Sequence, residues 1–149
     1  PAHVIPIQSE DLHYQIARIY GDLEEKEAMR SILETLVNHP NGRPLNRVEY
    51  ANTFFKELDD TGKSLKILEE MRSEYLMKEN MLKTLSSTTS KVELERWEKA
   101  YPEIISSLVF IYRQNNQFIE AESVLSDWIL RHPSDSNAKK ILEEVRLSK

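Results

Sequence analysis

Four histidines are the side chains of this chain best suited to zinc-type ligation, because it contains no cysteine. Their spacing does not support that chemistry. Two zinc-binding histidines on one helix need an HxxxH or HExxH pattern, which places both imidazoles on one face. His3 and His13 have no partner at that spacing. His39 and His132 each precede a proline at an expected helix end, where an imidazole favours the dipole and the last carbonyls. Paired carboxylates could act in acid–base work or hold a divalent cation. The pairs here are Glu24-Glu25, Asp59-Asp60, Glu69-Glu70 and Glu143-Glu144. In a chain with 30% charged residues they read as solvated faces. The three glycines are scattered at 21, 42 and 62, so no glycine-rich phosphate loop exists. No GxSxG elbow or Ser/His/Asp cluster is visible. The residues therefore point away from an enzyme, a metal and any cofactor, and toward a binding surface.

Composition narrows the class. At 149 residues and 17.5 kDa the chain is long enough for one domain with a sizeable core. Few glycines and prolines leave little hairpin chemistry and favour helix. A net charge of -5 and a pI near 5.5 argue against a nucleic-acid partner, which would need a basic face. No run approaches the roughly 18 apolar residues of a membrane span, so no direct membrane insertion by this segment is expected. A cysteine-free chain is at home on either side of a membrane, cytoplasmic or periplasmic. The chain opens at Pro1 without an initiator methionine, as a domain of a larger protein would.

Periodicity and punctuation divide the chain into helices. Residues 1–8, PAHVIPIQ, read as an extended lead-in, with Val4, Ile5 and Ile7 against a helical surface or a preceding domain. Ser9 caps a first helix over 9–20, with Leu12, Ile16, Ile19 and Tyr20 as its buried face and Gly21 as its stop. Asp22 and Glu25 form a capping box for a helix over 22–38 that buries Ala28, Ile32, Leu36 and Val37. Asn46 with Glu49 starts a third helix, buried through Val48, Ala51, Phe55 and Leu58. A fourth begins near Lys63, carries Leu65, Leu68 and Met71, and extends toward Leu85. SSTTS at 86–90 is a linker, and Ser90 with Glu93 caps a non-repeat insert over about 86–101. Its Trp97 is expected to anchor the core rather than contact a partner. Pro102 is expected to break the helix, because its ring clashes with the carbonyl four residues back. A helix over 103–115 carries Ile104, Ile105, Leu108, Val109 and Tyr112. The next buries Phe118, Ala121, Leu125 and Trp128 and stops at Pro133. A last helix over 135–147 has Ala138, Ile141, Leu142 and Val145 inside and a charged outer face that suits a solubilising cap.

Two stretches repeat. EAMRSILETLVNHP at 27–40 aligns with EAESVLSDWILRHP at 120–133 at a constant offset of 93. The alignment pairs Ala28 with Ala121, Ile32 with Leu125, His39 with His132 and Pro40 with Pro133. Tyr20 precedes its alanine by eight residues and Tyr112 by nine, which reads as one residue missing from the first turn.

Segment 102–133 resembles a tetratricopeptide repeat through Ile105, Leu108, Tyr112, Phe118, Ala121, Leu125 and Pro133. It departs at Val109, Asn116 and Trp128. A first unit over about 11–40 matches through Ile16, Ala17, Tyr20, Ala28, Ile32 and Pro40. A degenerate middle unit from about 46 has Phe55, Ser64 and Leu68 in place of the tyrosine, alanine and aromatic. The resemblance implies an all-α fold: a TPR-like α-α superhelix (solenoid) of about three helix pairs plus a terminal helix, within a single helical-repeat domain over 9–149. It also implies a non-catalytic protein–protein interaction module that takes a protein or peptide partner, as an extended peptide or a helix, in a concave groove. The alternative reading is a soluble C-terminal structural or assembly tail of a larger, membrane-anchored bacterial protein. Carrying the family's groove positions over gives Tyr14 and Arg18 in the first unit, Glu49, Thr53 and Lys56 in the second, and Glu103, Ser106, Phe110 and Arg113 in the third. Tyr14 and Arg18 stand where a carboxylate-clamping groove has lysine and asparagine, so that class of partner is not implied.

Overall fold

The structure, a computed structural model, describes residues 10–39, 42–85 and 87–149. The expected lead-in, the Ser9 cap and the closing Pro40 lie outside the described residues. Within them the chain is all-α, with seven helices and no strand. They are α1 (Glu10–Asp22), α2 (Lys26–Val37), α3 (Pro44–Lys56), α4 (Thr61–Thr84), α5 (Thr88–Gln114), α6 (Phe118–Arg131) and α7 (Ser136–Leu147). Each helix packs on the next in sequence, and α3 also packs on α5. One continuous core runs from Ala17 in α1 to Val145 in α7.

Several boundaries differ from the sequence reading for local reasons. α1 runs through Gly21 instead of stopping there. A β-carbon at Gly21 would lie 2.9 Å from Met29 Sδ, so this glycine serves close helix approach rather than termination. α2 starts at Lys26 with Glu25 as a cap that makes no side-chain bond, so Asp22 and Glu25 form no capping box. Pro44 opens α3 near its first position, where a missing N–H costs nothing, and Asn46 with Glu49 is not the start. Ser87, not Ser90, caps α5, accepting from the Ser90 amide at 3.1 Å. α5 is continuous through Pro102 over its 27 residues. Packing of Tyr101, Ile104 and Ile105 on either side holds the helix across the lost hydrogen bond. The stretch 88–101 is therefore the first half of α5, and its Trp97 is buried as a core anchor, flanked by Arg47 and Lys78 over its ring at 5.9 and 5.5 Å.

Three inter-helix turns share one design. Each ends its helix on a residue with positive φ: Glu24 at 60°, Asp59 at 50° and Asn116 at 57°. Each then passes to a cap, Glu25, Asp60 or Gln117, that opens the following helix. The first and third turns match bond for bond. Glu25 N donates to Tyr20 O at 2.8 Å, as Gln117 N does to Tyr112 O at 2.8 Å. Met29 N donates to Glu25 O at 3.1 Å, as Ala121 N does to Gln117 O at 3.1 Å. These pairs stand 92 residues apart, not 93. No residue is missing from the first turn, and the counterpart of Ala121 is Met29. The buried face of α2 is accordingly Met29, Leu33 and Leu36, while Ala28, Ile32 and Val37 are only partly covered. Four residues past each cap, Met29, Ser64 and Ala121 are all fully buried.

α1 also presents an unexpected face. Leu12, Ile16, Ile19 and Tyr20, read as its buried stripe, are exposed, and Glu10 and Ala17 are buried instead. The cause is a polar ladder to α3 at i, i+4, i+8 spacing. Tyr50 donates to Glu10 Oε1 at 2.9 Å, Tyr14 bonds Thr53 at 2.8 Å, and Arg18 pairs with Glu57. Those three contacts turn the apolar stripe away from the core.

Candidate functional site

The odd-numbered helices line one side of the molecule. Two adjoining concavities open there, meeting along α5. The first, of about 860 Å³, holds Tyr14, Arg18, Glu49, Thr53, Lys56 and Glu103 among its lining residues. The second, of about 750 Å³, lies between α5 and α7 and holds Ser106, Phe110 and Arg113. All nine residues expected from the sequence thus fall on this face.

Their surroundings divide them. Thr53 is buried, donating to the Glu49 carbonyl at 2.9 Å and so accepting from the Tyr14 phenol. It positions Tyr14 instead of meeting a partner. Tyr14 also leans on Tyr50, with ring centroids 5.1 Å apart. Arg18 is held by Glu57, and Arg113 reaches Glu144 of α7 at 3.5 Å. Glu49, Lys56, Glu103 and Ser106 are exposed. Phe110 is half exposed and meets Phe55 edge-on at 6.2 Å, which fixes its ring at the rim of the second concavity. Behind it the floor is apolar, formed by Ile105, Val109, Leu125 and Trp128. The first concavity is polar and mixed in charge, with Asn46, Asn52 and Lys99 beside the expected residues. Side-chain amides and mixed charges suit a peptide backbone and its polar side chains, and an apolar pocket beside them suits an anchor side chain.

Sequence reasoning missed a second constellation, where α4, α5 and α6 meet. Glu79 in α4 receives Arg131 of α6 through both terminal nitrogens, at 2.6 and 3.1 Å, and the Tyr75 hydroxyl at 2.7 Å. Arg131 holds the Glu79 carboxyl down at about 2, against an ordinary 4.5. The same guanidinium lies over the Tyr75 and Tyr101 rings at 5.8 and 5.7 Å. Tyr75 stacks on Tyr101 at 4.2 Å, Tyr101 meets Trp128 at 5.8 Å, and Trp128 stacks on His132 at 3.7 Å. Burial, ahead of the Glu79 bond, raises the Tyr75 hydroxyl well above the usual phenol range. Every group in this column has a neighbour to satisfy it, and it ties α4, α5 and α6 together. The i, i+4 pairs Tyr75–Glu79 and Trp128–His132 were the local signals for it. Trp128 is fixed further by its indole N–H on Asp135 Oδ2 at 2.9 Å, while Asp135 Oδ1 caps α7 through the Ala138 amide at 3.0 Å.

His132 is thus a stacking residue, and His39 is buried. Among the described residues no group of three His, Asp or Glu side chains is placed to hold a metal ion. No helix is long and apolar enough to cross a membrane among those residues. Comparison with protein-family models, curated proteins and solved structures finds no match to this chain.

Proposed function

We propose that this chain is a tetratricopeptide-like interaction module, non-catalytic, that binds an extended peptide or a helix along the face of α1, α3, α5 and α7. The observation that supports this reading most is the fall of all nine expected groove residues on two adjoining concavities. The matching turns at 20–29 and 112–121 add to it, because a repeated local geometry is what a stacked-repeat fold requires. Glu49, Lys56 and Glu103 supply charge to the polar concavity and Phe110 an apolar rim to the other. Rim charges of this kind govern which partner is accepted, and a half-buried aromatic carries the binding energy. Arg18, Arg113 and Thr53 hold the groove in shape through Glu57, Glu144 and Tyr14.

The test is capture of partners from native extract by the 149-residue chain beside Phe110→Ala and Lys56→Glu/Glu103→Lys. A partner retained by wild type should be lost or weakened at least about tenfold by each variant, in line with a hot-spot aromatic and a reversed charge pattern. Retention of every partner by both variants, with helicity unchanged, would remove the groove from the proposal.

A further inference from the structure

The exposed stripe on α1 is the same face that α5 buries. With the 92-residue equivalence of the first and third turns, Leu12, Ile16, Ile19 and Tyr20 correspond to Ile104, Leu108, Ile111 and Tyr112. The α5 residues are at most 8% exposed. Their α1 counterparts are 36–61% exposed. α3 and α4 cover the α5 face. Ser107 and Phe110 meet Asn52 and Phe55 of α3, and Tyr101 and Tyr112 meet Tyr75 and Glu69 of α4. Ile104, Leu108 and Ile111 lie between those contacts by helical phase. α3 and α4 are an antiparallel helix pair joined by the turn at Asp59.

We infer that the outer face of α1 docks a further antiparallel helix pair of the same repeat kind, seated on α1 as α3 and α4 sit on α5. The stripe is on the side of α1 opposite Tyr14 and Arg18, so this docking leaves the groove open. Leu12, Ile16, Ile19 and Leu23 follow 4-3-4 spacing, the seam a packed helix requires. The other end of the stack is finished differently. The outer face of α7 carries Lys139, Lys140 and Glu143, all exposed, and offers charge where α1 offers an apolar stripe. A second copy docking α1 on α1 fits less well. The seam from Leu12 to Leu23 is about 16 Å long at 1.5 Å per residue. A single three-turn seam is a small contact beside the roughly 1,000 Å² a stable interface between separate chains needs.

The test inserts a second copy of residues 42–101 between residues 9 and 10. Residue 10 is the counterpart of residue 102, so α1 then continues the copied half of α5 in helical register. The inserted pair should fold as helix, and amide exchange over Ile16–Tyr20 should slow at least about tenfold relative to the unmodified chain. Leu12→Lys/Ile19→Lys in the extended chain should restore fast exchange. An insert that stays unfolded, or α1 exchange that does not change, would overturn the inference. Two measurements on the unmodified chain assign the other occupants. Sedimentation should show a monomer; a dimer dissolved by Leu12→Lys/Ile19→Lys would give the face to a second copy instead. Exchange over Ile16–Tyr20 should be faster than over Leu108–Tyr112. Equal protection that vanishes on deleting residues 1–9 would give the face to that segment and overturn the inference as well.

Discussion

Glu79 shows how much one residue can carry. It accepts three charge-assisted or phenolic hydrogen bonds from Arg131 and Tyr75 with only 12% of its side chain exposed. Its folded pKa of about 2 lies below the ordinary 4.5, so its stabilisation is present above about pH 4.5 and is lost as the pH falls toward 2. At about 1.4 kcal/mol per unit the whole displacement is worth on the order of 3 kcal/mol. Wild type should therefore lose urea resistance over that interval more steeply than Glu79→Gln, which has no carboxyl to protonate. Denaturant midpoints measured from pH 5 to 2 check this. Parallel curves for the two proteins would show that the Arg131 contact contributes nothing net.

At the scale of the helix, Gly21 and Met29 form a matched pair. Their counterparts 92 residues on are Arg113 and Ala121, a large residue facing a small one in the reverse order. Alanine in a helix gains up to about 1 kcal/mol over glycine. At position 21 that gain meets a β-carbon 2.9 Å from Met29 Sδ and 3.1 Å from Glu57 Oε2. Gly21→Ala should therefore be close to neutral in wild type. In a Met29→Ala background, which itself costs roughly 2–5 kcal/mol, it should stabilise by close to the full gain. A double-mutant cycle by urea unfolding measures the coupling. Equal effects of Gly21→Ala in both backgrounds would mean that the glycine serves something other than the approach of α2.

At the scale of the molecule, the stack is asymmetric, charged at the α7 end and apolar at α1. α7 contributes Ala138, Leu142 and Val145 to the core and stands against the apolar floor of α5 and α6. Ending the chain at Pro133 removes those side chains and uncovers Ile105, Val109 and Leu125. Losing burial of a leucine and a valine at about 1.5–3 kcal/mol each removes a large part of a stability that totals roughly 5–15 kcal/mol. The truncated chain should melt at a markedly lower temperature and bind more of a hydrophobic dye than the full chain does. An unchanged melting temperature would show that α7 is an appendage, not a cap.

Helix content and the exposed charged face of α7 were legible in the sequence. Both rest on local information, the 3.6-residue periodicity that separates apolar from charged positions along each helix. The register of α2 was not legible. The strings at 27–40 and 120–133 align best at 93, but the turn bonds that set the helix phase repeat at 92. A one-residue difference rotates a helix by about 100°, which exchanges Ala28 for Met29 at the tight contact. Continuity through Pro102 was not legible either, because flanking core residues hold the helix against a local clash. The orientation of α1 was decided by tertiary structure alone. Its apolar stripe asks for burial, but Glu10, Tyr14 and Arg18 found partners on α3 and took the inner side. Sequence periodicity states which residues share a face; only the neighbouring helices decide which face turns inward.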